Sequence, residues 1–328
     1  MALICAFESI TEIKEGLRIA GLLEGLRVHD LLSTAPFADV RNLLAEISSK
    51  ILQAKIVHIH APADLEGVLA LSQIESACLD NGIRYQRKLL PSHRNIPRDE
   101  VPQPQPIGEG LLVHIDPFDD TWQIKEIPAT EYLHIMPLSV GVRMGTKKSE
   151  RMGGLDVVAQ CSAIAAIIAP NGTRVRRLRP FSGSGLWLRE ALDTTFDPIH
   201  TFLRDHLRDE GSLRTVSLPE VEKPASGMIP NLAERMLSRL SKSWPKMNID
   251  ERSQALSEMV LPTLTDSTLS TPRLEELVWH RCVVSTSPID IASQLFLASK
   301  QWPDEDDKVK LFASELLDDF ITTGNLIQ

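Results

Sequence analysis

Acidic and histidine side chains concentrate where a short β-branched run gives way to a helical pattern. The stretch HIHAPADLEG runs from His58 to Gly67 and contains Asp64 and Glu66 one residue apart. Two acids in such a loop can present oxygens to a divalent metal ion. Asp116 ends a later apolar run, so Asp64, Glu66 and Asp116 could converge at the carboxyl edge of a parallel sheet. The structural alternative is that Asp64 caps the helix and Glu66 complements its dipole.

Other catalytic patterns are weak. His58 and His60 point to one face of a strand, as in many metal-dependent hydrolases. The remaining histidines, His114 and His134 included, are scattered without a second cluster at ligand spacing. Ser182-Gly-Ser-Gly185 is not a nucleophile elbow, and neither a P-loop nor a dinucleotide fingerprint occurs. The residues alone therefore indicate a metal site more than a nucleophile or a nucleotide site.

Two basic clusters stand out against an acidic background. The alternation of Arg174 and Arg176 fits one face of an exposed strand. The clusters are either solvated faces or strips that contact phosphates or an acidic partner. Their members, as candidate nucleic-acid-binding residues, are Lys147, Lys148, Arg151, Arg174, Arg176, Arg177 and Arg179.

The elements that must position these residues follow from hydrophobic periodicity. We expect an α/β domain over 1–180, with a mainly parallel sheet and flanking helices, followed by a helical domain over 181–328. The segment 141–154 is expected to be a polar loop. The predicted strands are 55–60, 84–90, 111–115 and 132–136. The predicted helices are 8–32, 37–53, 64–79, 155–169, 186–208, 230–243, 249–261, 273–284, 288–301 and 305–322.

Composition limits the class of protein. The chain has 328 residues, with 35 Lys and Arg against 44 Asp and Glu, and aromatic residues make up 5%. A net charge of −9 argues against bulk binding of nucleic acid, because phosphates attract the opposite sign. The N-terminal residues lack a signal-peptide pattern, and no apolar run is long enough to span a membrane. We therefore expect an intracellular protein with four reduced cysteines, Cys5, Cys78, Cys161 and Cys282.

One stretch resembles a known family. HAPADLEGVLALSQIESACLDNGIRYQRKLLP resembles the first motif of the DHH phosphoesterase superfamily, with Glu66 in place of its second Asp. LLVHID, ending at Asp116, resembles the second motif, and FADVRNLLAEISSKIL resembles the helix that precedes the first strand. The resemblance covers roughly residues 37–170 and implies a DHH-type domain with metal ligands Asp64, Glu66 and Asp116.

The departures from this family suggest lost catalysis. The Asp-His-His that names the family would fall at Met136-Pro-Leu138, and these side chains cannot hold a metal. Two-metal catalysis needs a cage of charged ligands, so we expect no catalytic residues and at most one weakly held Mg²⁺ or Mn²⁺.

The resemblance, to RecJ-like and cell division control protein 45-like members, then implies an inactive scaffold that binds the GINS complex and the MCM helicase. Such a scaffold, with any contact to single-stranded DNA secondary, would serve in the nucleus of a eukaryote or the cytoplasm and nucleoid of an archaeon. The alternative is an active metal-dependent phosphoesterase or single-strand exonuclease. The apolar side of the last predicted helix could dock a partner.

Overall fold

The computed structural model describes residues 31–94, 96–102, 104, 108–119, 121–123, 132–144, 149–189, 198–265 and 269–327. Its strands are β1 (Val57–Pro62), β2 (Tyr85–Leu90), β3 (Leu111–Ile115), β4 (Tyr132–Ile135), β5 (Leu138–Met144), β6 (Ser149–Leu155), β7 (Arg214–Val216) and β8 (Arg281–Val283). Its α-helices are α1 (Arg41–Gln53), α2 (Leu65–Asn81), α3 (Val157–Ile168), α4 (Thr173–Leu178), α5 (Ser184–Leu188), α6 (Pro198–Asp209), α7 (Glu234–Ser243), α8 (Ile249–Val260), α9 (Thr271–Trp279), α10 (Ile291–Gln301) and α11 (Asp306–Thr323).

The central sheet has four parallel strands in the order β2-β1-β3-β4. The predicted strands and the α/β class are confirmed, with strand ends within two residues of those expected. Every residue of β3 is buried, as expected for a central strand with helices on both faces. The predicted helices over 8–32 lie outside the described residues except for Leu31 and Leu32, which belong to a 3-10 turn.

Helix α2 is enclosed over most of its length. Each residue from Leu65 to Cys78 is buried. Local signals set both of its ends, because Asp64 caps the first turn and Gly82 closes the last with φ of 67° in the left-handed region. The helix packs against β1, α3, α4 and α11. Helix α3, capped by Asp156, is buried along its whole length.

The segment predicted as a polar loop over 141–154 is instead an antiparallel hairpin. Strands β5 and β6 pair from Leu138 with Leu155 to Met144 with Ser149. The prediction was wrong because the buried residues Leu138, Val140 and Val142 alternate with more exposed residues along β5. The Gly, Lys and Arg content obscured this period-two pattern.

The exposed strand suggested by Arg174 and Arg176 was also wrong, since these residues lie in helix α4. Oδ2 of Asp80 accepts hydrogen bonds from the backbone N–H groups of Arg174 and Val175 at 2.8 and 3.0 Å. An aspartate from α2 therefore satisfies donors at the start of α4.

Several C-terminal boundaries differ from the predictions. The predicted helix over 186–208 is not continuous, because α5 ends at Leu188 and α6 begins at Pro198. The predicted helix over 273–284 ends at Trp279, and β8 follows it and pairs antiparallel with β7.

The C-terminal residues contribute to two hydrophobic clusters. One cluster lies within residues 218–278 and includes Trp244, Leu256 and Met259. The other contains the sheet and continues into α10 and α11, where Leu317 and Phe320 are fully buried. Side chains on both sides of residue 180 thus share one core, while the separate helical domain over 181–328 stays a prediction.

The predicted apolar side of the last helix faces inward in part. The ring of Phe320 meets that of Phe181 edge to face, with centroids 4.8 Å apart. Arg87 on β2 joins this helix to α2, since Nη1 lies 3.1 Å from Oε1 of Glu75 and 2.6 Å from Oδ1 of Asp318. Leu311 remains 64% exposed.

Candidate metal centre

The candidate site lies at the carboxyl edge of the sheet, where β1 and β3 end side by side. From β1 the chain passes through α2 to β2 on one side, while β3 and β4 lie on the other. Such a reversal of strand order opens a crevice beyond the strand ends, where α/β proteins bind ligands. Asp64 follows β1 and Asp116 follows β3, so the sequence-based placement of both residues at this edge is confirmed.

Asp64 serves the local structure. Its Oδ1 accepts a hydrogen bond from the Gly67 N–H at 2.9 Å, and its Oδ2 accepts one from Ser92 Oγ at 2.7 Å. Gly67 has no room for a side chain, since an added Cβ would lie 2.2 Å from the Pro62 carbonyl oxygen. The Asp and Gly of the first motif are therefore explained by capping and by close helix–strand approach.

Glu66 is paired internally with an arginine that the sequence reasoning missed. Its side chain is 1% exposed, and its Oε1 accepts hydrogen bonds from Nε and Nη2 of Arg189 at 3.0 and 2.8 Å. Arg189 also donates to the Pro117 carbonyl and lies over the Trp122 ring, 5.7 Å from its centroid. Burial raises the pKa of Glu66 to about 8, while Arg189 acts in the opposite direction.

Asp116 has a second arginine as its partner. Nη2 of Arg98 lies 2.6 Å from Oδ2 of Asp116 and 3.2 Å from Oδ2 of Asp119. Nε2 of His134 lies 3.3 Å from the same Asp116 oxygen. Burial alone would raise the pKa of Asp116, but hydrogen bonds from His134 and Arg98 hold it well below its usual range. Asp116 and Asp119 are both buried.

Three histidines form a row across the sheet, which we call the histidine row: His60, His114 and His134. Strand register places His60 opposite His114 and His114 opposite His134. The rings of His114 and His134 have centroids 5.5 Å apart. Burial, followed by the neighbouring His134, lowers the pKa of His114 to about 4, so its imidazole is neutral near pH 7.

Among the described residues, the set able to surround one ion is His114, Asp116 and His134. One ligand atom from each lies within 4.8 Å of the others. Sequence reasoning predicted Asp116 but missed both histidines. The signal available was the shared placement of a histidine just before the strand end in LLVHID and EYLHIM.

The metal site implied by the family resemblance does not fit the residues present. Both side-chain oxygens of Asp64 accept hydrogen bonds from the protein, and Glu66 forms an ion pair with Arg189. Met136 and Leu138, where the Asp-His-His would fall, are buried in the hydrophobic core. Asp64 and Glu66 therefore have protein partners in place of an ion, whereas Asp116 lies in one group with His114 and His134.

The predicted basic residues mostly fasten the fold together. Arg179 forms two 2.6 Å hydrogen bonds to Glu210, and Arg174 lies 2.9 Å from Asp80. Arg177 donates to carbonyls at the end of α11, and Arg176 donates to Asn171. Arg151 is exposed on β6. Lys147 and Lys148 lie outside the described residues.

Comparison with known proteins does not assign the chain. No family model matches it, and no curated protein is significantly similar to it. In the part of the chain that the structure describes, no helix has the length and apolar character needed to cross a membrane.

Proposed function

We propose that this chain is a non-catalytic DHH-like subunit that works by binding other proteins. The observation that carries the proposal is the pairing of two arginines with the carboxylates of the candidate site: Arg189 with Glu66, and Arg98 with Asp116. Two-metal phosphoryl chemistry requires those carboxylates as ion ligands. The guanidinium groups neutralise these carboxylates, as metal ions would, but they offer no open coordination position. We propose that metal-dependent phosphoryl chemistry is lost for this reason.

The replication machinery is the setting that the sequence resemblance supports. The motif HAPADLEG and the strand LLVHID both carry the likeness to the RecJ-like and cell division control protein 45-like members. The parallel sheet with α2 and α3 packed on it is compatible with a DHH-type domain. We propose that the chain bridges the GINS complex and the MCM helicase inside the cell, with single-stranded DNA as at most a secondary ligand.

The engagement of the predicted arginines supports protein binding over DNA binding. Arg174, Arg177 and Arg179 each donate to acceptors within the chain. A net charge of −9 opposes the non-specific attraction that dominates binding to phosphates.

The test combines a binding assay with an activity assay on the full chain. Purified GINS and MCM from the same organism should be retained on the immobilised protein at micromolar concentration and moderate salt. Retention of neither, with capture of an unrelated partner, would exclude the replication role. In parallel, cleavage of single-stranded DNA with Mn²⁺ should stay at background.

The second candidate is an active metal-dependent phosphoesterase or single-strand exonuclease. The observation in its favour is the group His114, Asp116 and His134, which offers ligands for one ion. Sustained Mn²⁺-dependent cleavage that Asp116→Asn abolishes would select this candidate. Arg208→Gln is the matched control, because Arg208 forms exposed ion pairs with Asp205 and Asp209 on α6 and is not part of the three-ligand group.

A further inference from the structure

The strands at the carboxyl edge bring two imidazoles and one carboxylate together, with one ligand atom from each within 4.8 Å of the others. His114 and His134 are register partners on β3 and β4, and Asp116 follows β3 directly. Nε2 of His134 and Oδ2 of Asp116 are 3.3 Å apart. Two ligands bound tetrahedrally at about 2.0–2.1 Å from zinc would lie about 3.3–3.4 Å apart. The observed separation therefore matches one edge of a zinc tetrahedron.

A second observation points to a ligand. His114 is 9% exposed, and its buried Nδ1 atom has no hydrogen-bond partner among the residues that the structure describes. A buried imidazole nitrogen without a partner loses hydration without compensation. A bound metal ion would be coordinated by the lone pair of an imidazole nitrogen such as this one.

We infer that His114, Asp116 and His134 form a site for one divalent transition-metal ion of the Zn²⁺ type. This donor set differs from the carboxylate set Asp64, Glu66 and Asp116 that the family resemblance implies. Two nitrogen ligands favour zinc-like ions over Mg²⁺, which prefers oxygen. The inference goes beyond the proposed function, because a scaffold can hold a structural ion without any turnover.

Arg98 sets the affinity of this site. Its Nη2 lies 2.6 Å from the Asp116 oxygen that also faces His134. The Arg98 guanidinium thus pairs with the same Asp116 oxygen that would coordinate the metal ion. Metal binding therefore requires Arg98 to release that oxygen. Arg98 remains next to Asp119, whose Oδ2 is 3.2 Å away, so the displaced guanidinium keeps a counter-charge.

The experiment uses the full chain, stripped with a chelator and titrated with Co²⁺ and then Zn²⁺. Cobalt reports its ligands through visible absorption, and calorimetry gives the zinc stoichiometry and Kd. We expect one equivalent to bind, with His134→Gln weakening zinc binding by more than about 100-fold, because loss of a partner that only orients a ligand already costs about 10–100-fold. Arg98→Gln should bind zinc about tenfold more tightly than the wild type, because the competing cation is gone.

His58→Gln is the matched control, because His58 lies on the same face of β1 as His60 but outside the three-ligand group. It should bind zinc as the wild type does. The inference is overturned if neither the wild type nor Arg98→Gln binds one equivalent, or if His58→Gln is as weak as His134→Gln. A near-ultraviolet charge-transfer band from cobalt would also overturn it, since such a band reports cysteine ligands. Arg98→Gln keeps the test decisive if His134→Gln fails to fold.

Discussion

Removing the arginine that neutralises Glu66 should destabilise the protein in a pH-dependent manner. The perturbation is Arg189→Met, which keeps much of the side-chain volume but removes the charge and the donors. Glu66 is 1% exposed and receives two hydrogen bonds from Arg189. Since the pKa of Glu66 beside Arg189 is about 8, its carboxyl group is mostly ionised in the wild type at pH 9, and at one pH unit above that pKa the lost ion pair adds at most about 1.4 kcal/mol. Together with about 1 kcal/mol for the lost hydrogen bonds, we expect a loss of about 2 kcal/mol at pH 9.

The loss should be smaller at pH 6. Burial raises the pKa of Glu66 to about 8, and Arg189 opposes that rise, so the variant should have an even higher pKa. A carboxyl group whose pKa is raised by folding takes up protons in the native state, so its unfavourable effect grows as pH rises through that pKa. At pH 6 the carboxyl group of the variant is protonated. Only lost hydrogen bonds remain there, at about 1 kcal/mol.

Urea denaturation of the wild type and the variant at pH 6 and pH 9 measures both losses. Arg208→Met is the control, because Arg208 forms exposed ion pairs with Asp205 and Asp209 that are worth less than about 1 kcal/mol. Adding Glu66→Gln to Arg189→Met should restore most of the stability at pH 9. A loss that is equal at both pH values, or no larger than that of the control, would refute the reasoning.

Three further predictions concern the same elements. Arg179→Gln should lower the free energy of unfolding by about 3 kcal/mol in urea denaturation, since it breaks the paired hydrogen bonds to buried Glu210. Fluorescence anisotropy should show unchanged affinity for single-stranded DNA. Unchanged stability with weakened DNA binding would instead support Arg179 as a nucleic-acid-binding residue. Burial tends to raise the pKa of Glu210, but hydrogen bonds from His206 and Arg179 lower it to about 2. The ionised Glu210 therefore stabilises the fold above pH 4.5, and this stabilisation is lost as pH falls towards 2. Glu210→Gln should therefore lose less Tm than the wild type between pH 5 and pH 3, and parallel Tm curves would contradict this. Gly67→Ala should cost about 3 kcal/mol in urea, because its methyl group would lie 2.2 Å from the Pro62 carbonyl oxygen; a cost below about 0.5 kcal/mol would show that helix α2 can shift freely.

Local signals explain why the central part of the fold could be predicted. The strand–helix–strand unit around α2 has a buried strand, an aspartate cap and a left-handed glycine in sequence order. Each signal acts within a few residues, so one sequence carries it completely. The β5–β6 hairpin was missed because Gly, Lys and Arg residues masked three alternating apolar positions.

The candidate site was predicted only in part because its partners come from distant segments. Asp116 could be placed from the strand that precedes it, but the alignment of His114 with His134 depends on the register between β3 and β4. Arg189 reaches Glu66 from beyond α5. Charge patterns likewise show that Arg179 is basic without showing that Glu210 binds it. Interactions of this kind need the tertiary structure.

The contact between α2 and α11 has a consequence for biosynthesis. Residues 65–81 leave the ribosome long before residues 306–323, whose Leu317 and Phe320 complete the core around the sheet. A nascent chain therefore exposes the apolar surface that α11 will cover, even after every strand of the central sheet has been made. Exposed surface of this kind attracts chaperones and promotes aggregation. We expect productive folding to wait for the last helix, so that translation pauses after residue 260 prolong a vulnerable intermediate.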